Sequence, residues 1–352
     1  MFLKMWREVP CTRLQLQLKA TLTGGQSFRW KILENDEYLG VMGNILWLLR
    51  QTDTHLQYKI LGESPYTNFQ RMKIPQPPEG FPGSKDLLYP VEYYEDLLAM
   101  YFRLDVDLDA LYENWCKAHN HFKTTASHFH GIRVLNQDPV ENLFSFICSQ
   151  NNHISRISSM VEKLCTKYGK KICDYEGSAF HAFPDVESLA QKNIESDLRS
   201  NGFGYRAKYF QKSAQQIVQK GGLIWFGKLE KMDYKDARAE LMSLTGIGPK
   251  VADCICLMSL NHLEAIPVDT HVYQIAGAHY LKKLPKNKSV TAKIYLEIGD
   301  EFRRIYGQEA GWAQTVLFCS DLRQFKPENA QKRKITSKND EDSLPKSSKS
   351  SS

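Results

Sequence analysis

The spacing of apolar residues divides the chain into two regions. Between Phe28 and Leu61 the segments FRWKIL, EYLGVM, ILWLLRQ and HLQYKIL are short and rich in aromatic and aliphatic residues. END, GN and TDT separate them at even spacing. This pattern predicts an antiparallel meander, and Gly43-Asn44 suits a two-residue hairpin loop. PQPPEGFPG, residues 75–83, reads as a proline-rich connector. From about residue 91 apolar residues recur at spacings of three and four, which predicts helices. YYEDLLAMYF, LDALYENW, SRISSMVEKLCTKYG, AKYFQKSAQQIVQK, ARAELMSL, PKVADCICLMSL and AGWAQTVLFCSDLRQF all carry it. DPVENLFSFICSQ adds a well-formed start, with Asp138 as cap, Pro139 at the first position and Glu141 three after the cap. After Phe325 the chain turns polar and ends KSSKSSS, which reads as a disordered tail.

These elements predict an α+β protein. An antiparallel-sheet domain spans 1–120, and a mostly helical domain spans 121–325 with a helix-hairpin-helix at about 236–260. A basic tail occupies 326–352. The 352 residues suffice for two or three modest domains with a real core. At 42% hydrophobic and 24% charged, the composition is that of an ordinary soluble protein. MFLKMWREVP lacks the apolar run of a secretory signal. No stretch approaches the roughly 20 apolar residues of a membrane span. The eight cysteines form no C-x-x-C pair, so they read as reduced thiols of an intracellular protein. Four-cysteine iron–sulfur spacing is absent.

The formal charge is +6. From Lys326 to Ser352 seven Lys/Arg stand against four Asp/Glu, a net of +3, so half the excess lies in the tail. A nucleic-acid site in the folded part must therefore come from local placement of charge.

In ARAELMSLTGIGPKVADCICLMSL two helices flank TGIGPK. Gly246 and Gly248 permit positive φ and close approach of another backbone. Such a turn aims N–H groups outward at a helix start, a natural seat for a phosphate. The alternative is a helix–helix corner with a glycine cap. GIGPK does not fit a P-loop. Lys250 follows at the start of the second helix, where a cation is mildly disfavoured. That position, and partial burial, favour the neutral form of an amine, and a neutral amine is a nucleophile. The alternative is a solvated lysine that contacts phosphate. Cys254 and Met258 share the Lys250 face, as pocket wall or as plain core.

Nineteen residues on, IPVDTHVYQIA places Asp269 before an apolar helical run. Its simplest role is an N-cap. Should the two helix starts converge, Asp269 and Lys250 would pair a carboxylate with an amine. A carboxylate suits the positive charge that builds on a sugar as its glycosidic bond breaks. An amine suits attack on the same anomeric carbon.

G-I-G-P-K followed by P-V-D-T-H resembles the helix-hairpin-helix DNA glycosylase superfamily. GGQSFRW, DPVENLFSFICSQNNHISRI, GFGYRAKY and AQTVLFCSDLRQF narrow the resemblance to the eukaryotic 8-oxoguanine DNA glycosylases, over residues from about 10 to 325. The resemblance implies excision of 8-oxoguanine opposite cytosine from double-stranded DNA, by base flipping and lysine attack, with strand nicking through a Schiff base. It implies Lys250 and Asp269 as the catalytic pair. It implies Gly25, Cys254, Gln314 and Phe318 around the base: a carbonyl facing N7–H, a sandwich of ring and thiol, and a reader of the pairing edge. Asn151, Arg156, Tyr205 and Arg206 would fill the gap and bond the orphan cytosine. Gly246, Gly248 and His271 would meet phosphates. A cation on the carbonyls of Met242, Leu244 and Ile247 is implied too, but no required cofactor and no iron–sulfur cluster. The common run of three asparagines is here Asn151, Asn152 and His153. The expected protein is a monomer without membrane association.

Alternatives within the class are glycosylases for another lesion, such as an oxidised pyrimidine. A different class would be a non-catalytic DNA-binding protein that uses the hairpin for grip. RNA binding lacks supporting motifs. QKRK, residues 331–334, reads as a nuclear address or as simple solvated charge, with a mitochondrial pool also open.

Overall fold

The computed structural model describes residues 5–65, 87–285, 290–322 and 325. The proline-rich connector and the tail, including QKRK, lie outside the described residues.

The predicted meander is present. Strands β1 (Arg7–Pro10), β2 (Trp30–Ile32), β3 (Tyr38–Met42), β4 (Ile45–Gln51) and β5 (His55–Glu63) form one sheet in the order β1-β5-β4-β3-β2. All neighbouring pairs are antiparallel. The β3–β4 hairpin closes at Gly43-Asn44, with φ +64° at Gly43. All five β3 residues are buried, and so are the first five of β4. A strand covered on both faces reads as an unbroken apolar run. Gly40 is opposite Trp30, and a Cβ there would lie 2.3 Å from the indole. The ring occupies the space a side chain would need. A short helix, α1 (Leu18–Thr23), lies between β1 and β2.

The chain then becomes helical, as its periodicity predicts. Helices α2 (Val91–Phe102), α3 (Leu108–Ala118), α4 (Asn120–Ala126), α5 (Pro139–Ser149) and α6 (Ile154–Tyr168) come first. A hairpin of β6 (Lys171–Tyr175) and β7 (Ser178–His181) interrupts them. There follow α7 (Val186–Leu189), α8 (Ile194–Ser200), α9 (Arg206–Lys220), α10 (Leu223–Leu229), α11 (Tyr234–Met242), α12 (Pro249–Ser259), α13 (Thr270–Ile275), α14 (Ala292–Tyr306) and α15 (Ala310–Asp321). The fold is α+β. Among the described residues no helix is long and apolar enough to cross a membrane.

Among the described residues there are two apolar cores. One joins the sheet to α2, through contacts such as Trp47 edge-on to Tyr94 at 6.1 Å. The other gathers the helices from α3 to α15. The cores interlock. Phe28 from the sheet region packs into the helical core, while Ile172 and Ala182 pack into the sheet core.

Candidate active site

The cleft begins with the helix-hairpin-helix. Helix α11 ends at Met242 and α12 begins at Pro249, after TGIG. Gly246 adopts φ +84°, and a Cβ there would meet the Tyr209 ring at 2.3 Å. Only glycine fits this turn against α9. Its carbonyl accepts from Gln150 Nε2 at 2.6 Å, which ties the turn to the end of α5. Gly248 is the N-cap of α12 and has no side-chain cap. The first N–H groups of an α-helix lack intrahelical partners, so this start keeps donors for an outside anion.

Lys250 is the second residue of α12 and is half-buried. Its Nζ stands 4.5 Å from the centroid of the Phe146 ring on α5. One turn on, burial pushes the Cys254 thiol up to about 11, against the pull of the Lys250 amine beside it. Cys254 therefore stays protonated and apolar near neutral pH, as a wall rather than a second nucleophile.

Asp269 caps α13, and its Oδ1 accepts from Val272 N–H at 2.9 Å. The bland role expected of it is real. It also lines the same cleft as Lys250. Among the described residues no ion pair within 4.0 Å joins the two.

The opposite wall is the Gly24-Gly25 turn after α1. Gly25 adopts φ +86°, and a Cβ there would be 3.8 Å from the Phe318 ring. A buried amide network fixes this turn. Gln26 Nε2 donates to Arg133 C=O at 2.8 Å, and its Oε1 accepts from Leu135 N–H at 3.0 Å. Gln137 Nε2 donates to Gln26 C=O at 2.9 Å, while Gln137 N–H donates to Met258 C=O at 2.7 Å. The turn is thereby registered to α12 itself. Phe318 and Gln314 share one face of α15 and complete the lining, with Gln314 5% exposed.

As it stands the cleft encloses about 50 Å³. That is room for a few waters. Phe318 is half-exposed and touches His271 edge-on at 5.7 Å. His271 Nδ1 pairs with Asp321 Oδ2 at 2.9 Å, which ties α13 to the end of α15.

Outside the cleft runs a groove of about 950 Å³ lined by Asn151, Gly246, Gly248, Lys250 and Asp269 among others. Met242, Leu244 and Ile247 border it. Asn151 is exposed at φ +44°, a strained setting that asparagine tolerates better than most residues. Arg156 is exposed at the start of α6. Tyr205 is 48% exposed beneath the Arg206 guanidinium, 4.7 Å from the ring centroid. Arg206 is buried, and its Nη2 donates to the carbonyls of Gln150 and Asn151. In the free protein it therefore holds the loop that carries Asn151.

The structure brings Lys250, Asp269, Gly25, Cys254, Gln314 and Phe318 to one cleft. Asn151, Gly246, Gly248, Met242, Leu244 and Ile247 line the groove, and Tyr205 and Arg206 contact its lining residues. His271 packs on Phe318, and Arg156 is exposed at the start of α6, outside the lining of either. Phe146, Gln26, Gln137 and Gln150 escaped the sequence reading. Phe146 reads as ordinary helical core, and a buried glutamine has no local pattern. Only the long-range contacts assign them.

Residues 8–143 match the 8-oxoguanine DNA glycosylase N-terminal domain. Residues 144–299 match the HhH-GPD superfamily base excision DNA repair protein. The chain is 36% identical to N-glycosylase/DNA lyase OGG1 of Arabidopsis thaliana, over 90% of this chain and 80% of that protein. It is 35% identical to the N-glycosylase/DNA lyase of Saccharomyces cerevisiae, over 88% and 84%. Among solved structures, MBOgg1 in complex with a low-affinity DNA ligand aligns with TM-score 0.73 and 27% identity, over 90% of this chain and 94% of that one. The Clostridium acetobutylicum 8-oxoguanine glycosylase/lyase, bound to DNA with cytosine opposite 8-oxoguanine, aligns with TM-score 0.71 and 26% identity, over 95% and 100%. The chain belongs to the 8-oxoguanine DNA glycosylase family of helix-hairpin-helix base-excision repair proteins.

Proposed function

We propose that Lys250 and Asp269 are the catalytic pair of an enzyme that excises 8-oxoguanine opposite cytosine from duplex DNA and nicks the resulting site. The observation that carries this assignment is the shared cleft, with an amine and a carboxylate on two helix starts and no ion pair between them. In this reading the free amine of Lys250 attacks the anomeric carbon. The glycosidic bond breaks, and its electron pair leaves with the base, which takes up a proton. The attached amine loses one proton. The C1′–O4′ bond then breaks as the C=N bond forms, O4′ takes up a proton, and a protonated Schiff base results. In β-elimination a base removes a proton from the 2′ carbon, the C2′=C3′ double bond forms, and the bond from the 3′ carbon to its phosphate oxygen breaks, so the phosphate leaves with that electron pair. Asp269 stabilises the positive charge that develops on the sugar.

Recognition follows from the same walls. The Gly25 carbonyl faces N7, which carries a hydrogen in 8-oxoguanine and a lone pair in guanine. Two acceptors face to face in a dry site cost about 1–3 kcal/mol. That is roughly 5- to 150-fold, too little to screen a genome, so sorting precedes full insertion. Phe318 and Cys254 sandwich the base, and Gln314 reads its pairing edge. Asn151, Arg156, Tyr205 and Arg206 serve the vacated stack and the orphan cytosine. Arg206 must exchange at least one loop carbonyl for the cytosine to do so. Gly246, Gly248 and His271 meet backbone phosphates.

A cation on the carbonyls of Met242, Leu244 and Ile247 fits the carboxyl end of α11, where the helix presents carbonyl oxygens and partial negative charge. It would brace the hairpin and takes no part in the reaction. The nucleus, with a mitochondrial pool, is the proposed location; its support is the QKRK composition alone.

The test is a panel of duplexes carrying 8-oxoguanine or an oxidised pyrimidine, with the released base identified. Release of 8-oxoguanine opposite cytosine, and its loss in Lys250→Gln with DNA binding retained, is the expected result. Preferential release of a pyrimidine lesion would favour the other glycosylase class. Binding without release would favour a non-catalytic protein.

A further inference from the structure

Asp253 is three residues after Lys250 on α12 and is completely buried. A buried carboxylate needs a partner charge and a full set of donors. Asp253 has both. Its Oδ1 accepts from Tyr234 Oη at 2.8 Å and pairs with Arg238 Nε at 2.9 Å, both on α11. Its Oδ2 accepts a short hydrogen bond from Tyr295 Oη on α14.

A carboxylate only accepts, so the single Tyr295 hydroxyl proton is committed to Asp253. The lone pairs of the same oxygen accept the Val268 N–H at 3.2 Å. The Ile266 carbonyl also lies 3.2 Å from it. Val268 immediately precedes Asp269. One buried hydroxyl thus joins the helix that carries Lys250 to the extended segment that carries Asp269. Tyr295 is itself buried and does not line the cleft.

We propose that Tyr295 is a positioning residue that sets the separation of Lys250 and Asp269 across the cleft. The inference rests on the reading of those two residues as the catalytic pair. Without the hydroxyl, the Val268 N–H and one Asp253 oxygen lose their partner, and the segment from Ile266 to Asp269 is free to shift. A displacement of about 1 Å between reacting groups costs on the order of 100-fold in rate.

The experiment is single-turnover release of 8-oxoguanine by saturating Tyr295→Phe, measured well below its melting temperature. The rate per folded molecule should fall by about 10- to 100-fold. Affinity for a duplex carrying an uncleavable abasic analogue should stay near wild type. The loss should fall on the single-turnover rate, with the half-saturating duplex concentration near wild type, a split that lowered stability alone would not give. Trp47→Phe in the sheet core serves as a control that perturbs packing without touching this clamp. Should Tyr295→Phe not fold, Asp253→Asn combined with Arg238→Gln weakens the same hydroxyl bond without leaving a buried charge unpaired, and should give a smaller rate loss with the same split. A wild-type rate per folded molecule in the variant that folds would overturn the inference. Lys250→Gln is run alongside. Persistence of its borohydride-trapped adduct would overturn the parent reading instead, so the two failures are distinguishable.

Discussion

Helices α5 and α12 begin alike and are decorated in opposite ways. Each has proline at its first position. Helix α5 is preceded by Asp138, whose Oδ1 accepts from Val140 N–H at 3.0 Å and Glu141 N–H at 3.1 Å, and carries Glu141 in its first turn. Helix α12 is preceded by uncapped Gly248 and carries Lys250 in its first turn. The first start follows every rule for helix stability. The second leaves its N–H groups unpaired and places a cation at the positive end of the dipole. The difference teaches where folding and function diverge. Where a local rule is broken and the fold supplies no compensation on that element, the residue serves something outside it.

The widest break in the comparison is catalytic. Asp269→Asn keeps an N-cap side chain, so the fold should hold. Single-turnover base release should nevertheless fall by about 10²- to 10³-fold, as on removal of one electrostatic stabiliser. An unchanged rate would reduce Asp269 to the structural class of Asp138. Next in size is Gly246→Ala. The added methyl collides with the Tyr209 ring at positive φ, so denaturant melts should show a loss of about 1–3 kcal/mol. Affinity for undamaged duplex should weaken with it. Gly25→Ala meets only ordinary contact, 3.8 Å from Phe318, and should cost less stability while disturbing lesion preference.

Asp138→Ala should cost about 1 kcal/mol of stability with base release per folded molecule unchanged. Lys250→Gln should do the reverse. Relief of the helix-end penalty, about 0.3–1 kcal/mol, opposes loss of the ring contact of similar size. Its stability should therefore stay within about 1 kcal/mol of wild type while activity is lost.

The smallest effect concerns a histidine cluster remote from both starts. His121 stacks on His279 at 3.6 Å, and burial with the two neighbouring imidazoles, His279 foremost, holds His121 down to about 4. Burial and His279 also lower His119, whose Nδ1 accepts the His121 N–H at 3.2 Å. Depressed folded-state values mean that the unfolded chain binds more protons as the pH falls below the ordinary histidine range. This contribution to stability is full above about pH 6.5 and is lost toward pH 4. Melting temperature should drop over that window by a few degrees at most, roughly. His121→Phe should flatten the drop.

Much of this was legible in the chain. The four meander strands and the helices of the cleft follow from periodicity, and Asp138 from its capping box. The strand β1 did not show, because four residues of REVP carry too little pattern, and the hairpin of β6 and β7 is equally short. At the site, Lys250 stood out because it breaks a local rule. Asp269 reads as a cap from sequence, and is one. The catalytic role proposed for it depends on convergence in space. Gly25, Phe318 and Gln314 follow from family resemblance; unaided, Gly25 looks like a hairpin glycine and Phe318 like core. Phe146, Gln26 and Tyr295 act only through contacts distant in sequence, which no local pattern encodes.

The central claim is that one amine, on the uncapped helix start, bonds to the sugar. Borohydride reduction during turnover of an 8-oxoguanine duplex, followed by proteolysis and mass spectrometry, locates that bond. The account predicts a reduced deoxyribose adduct on the peptide containing Lys250 and on no other. An adduct on a different lysine or on the amino terminus would contradict it.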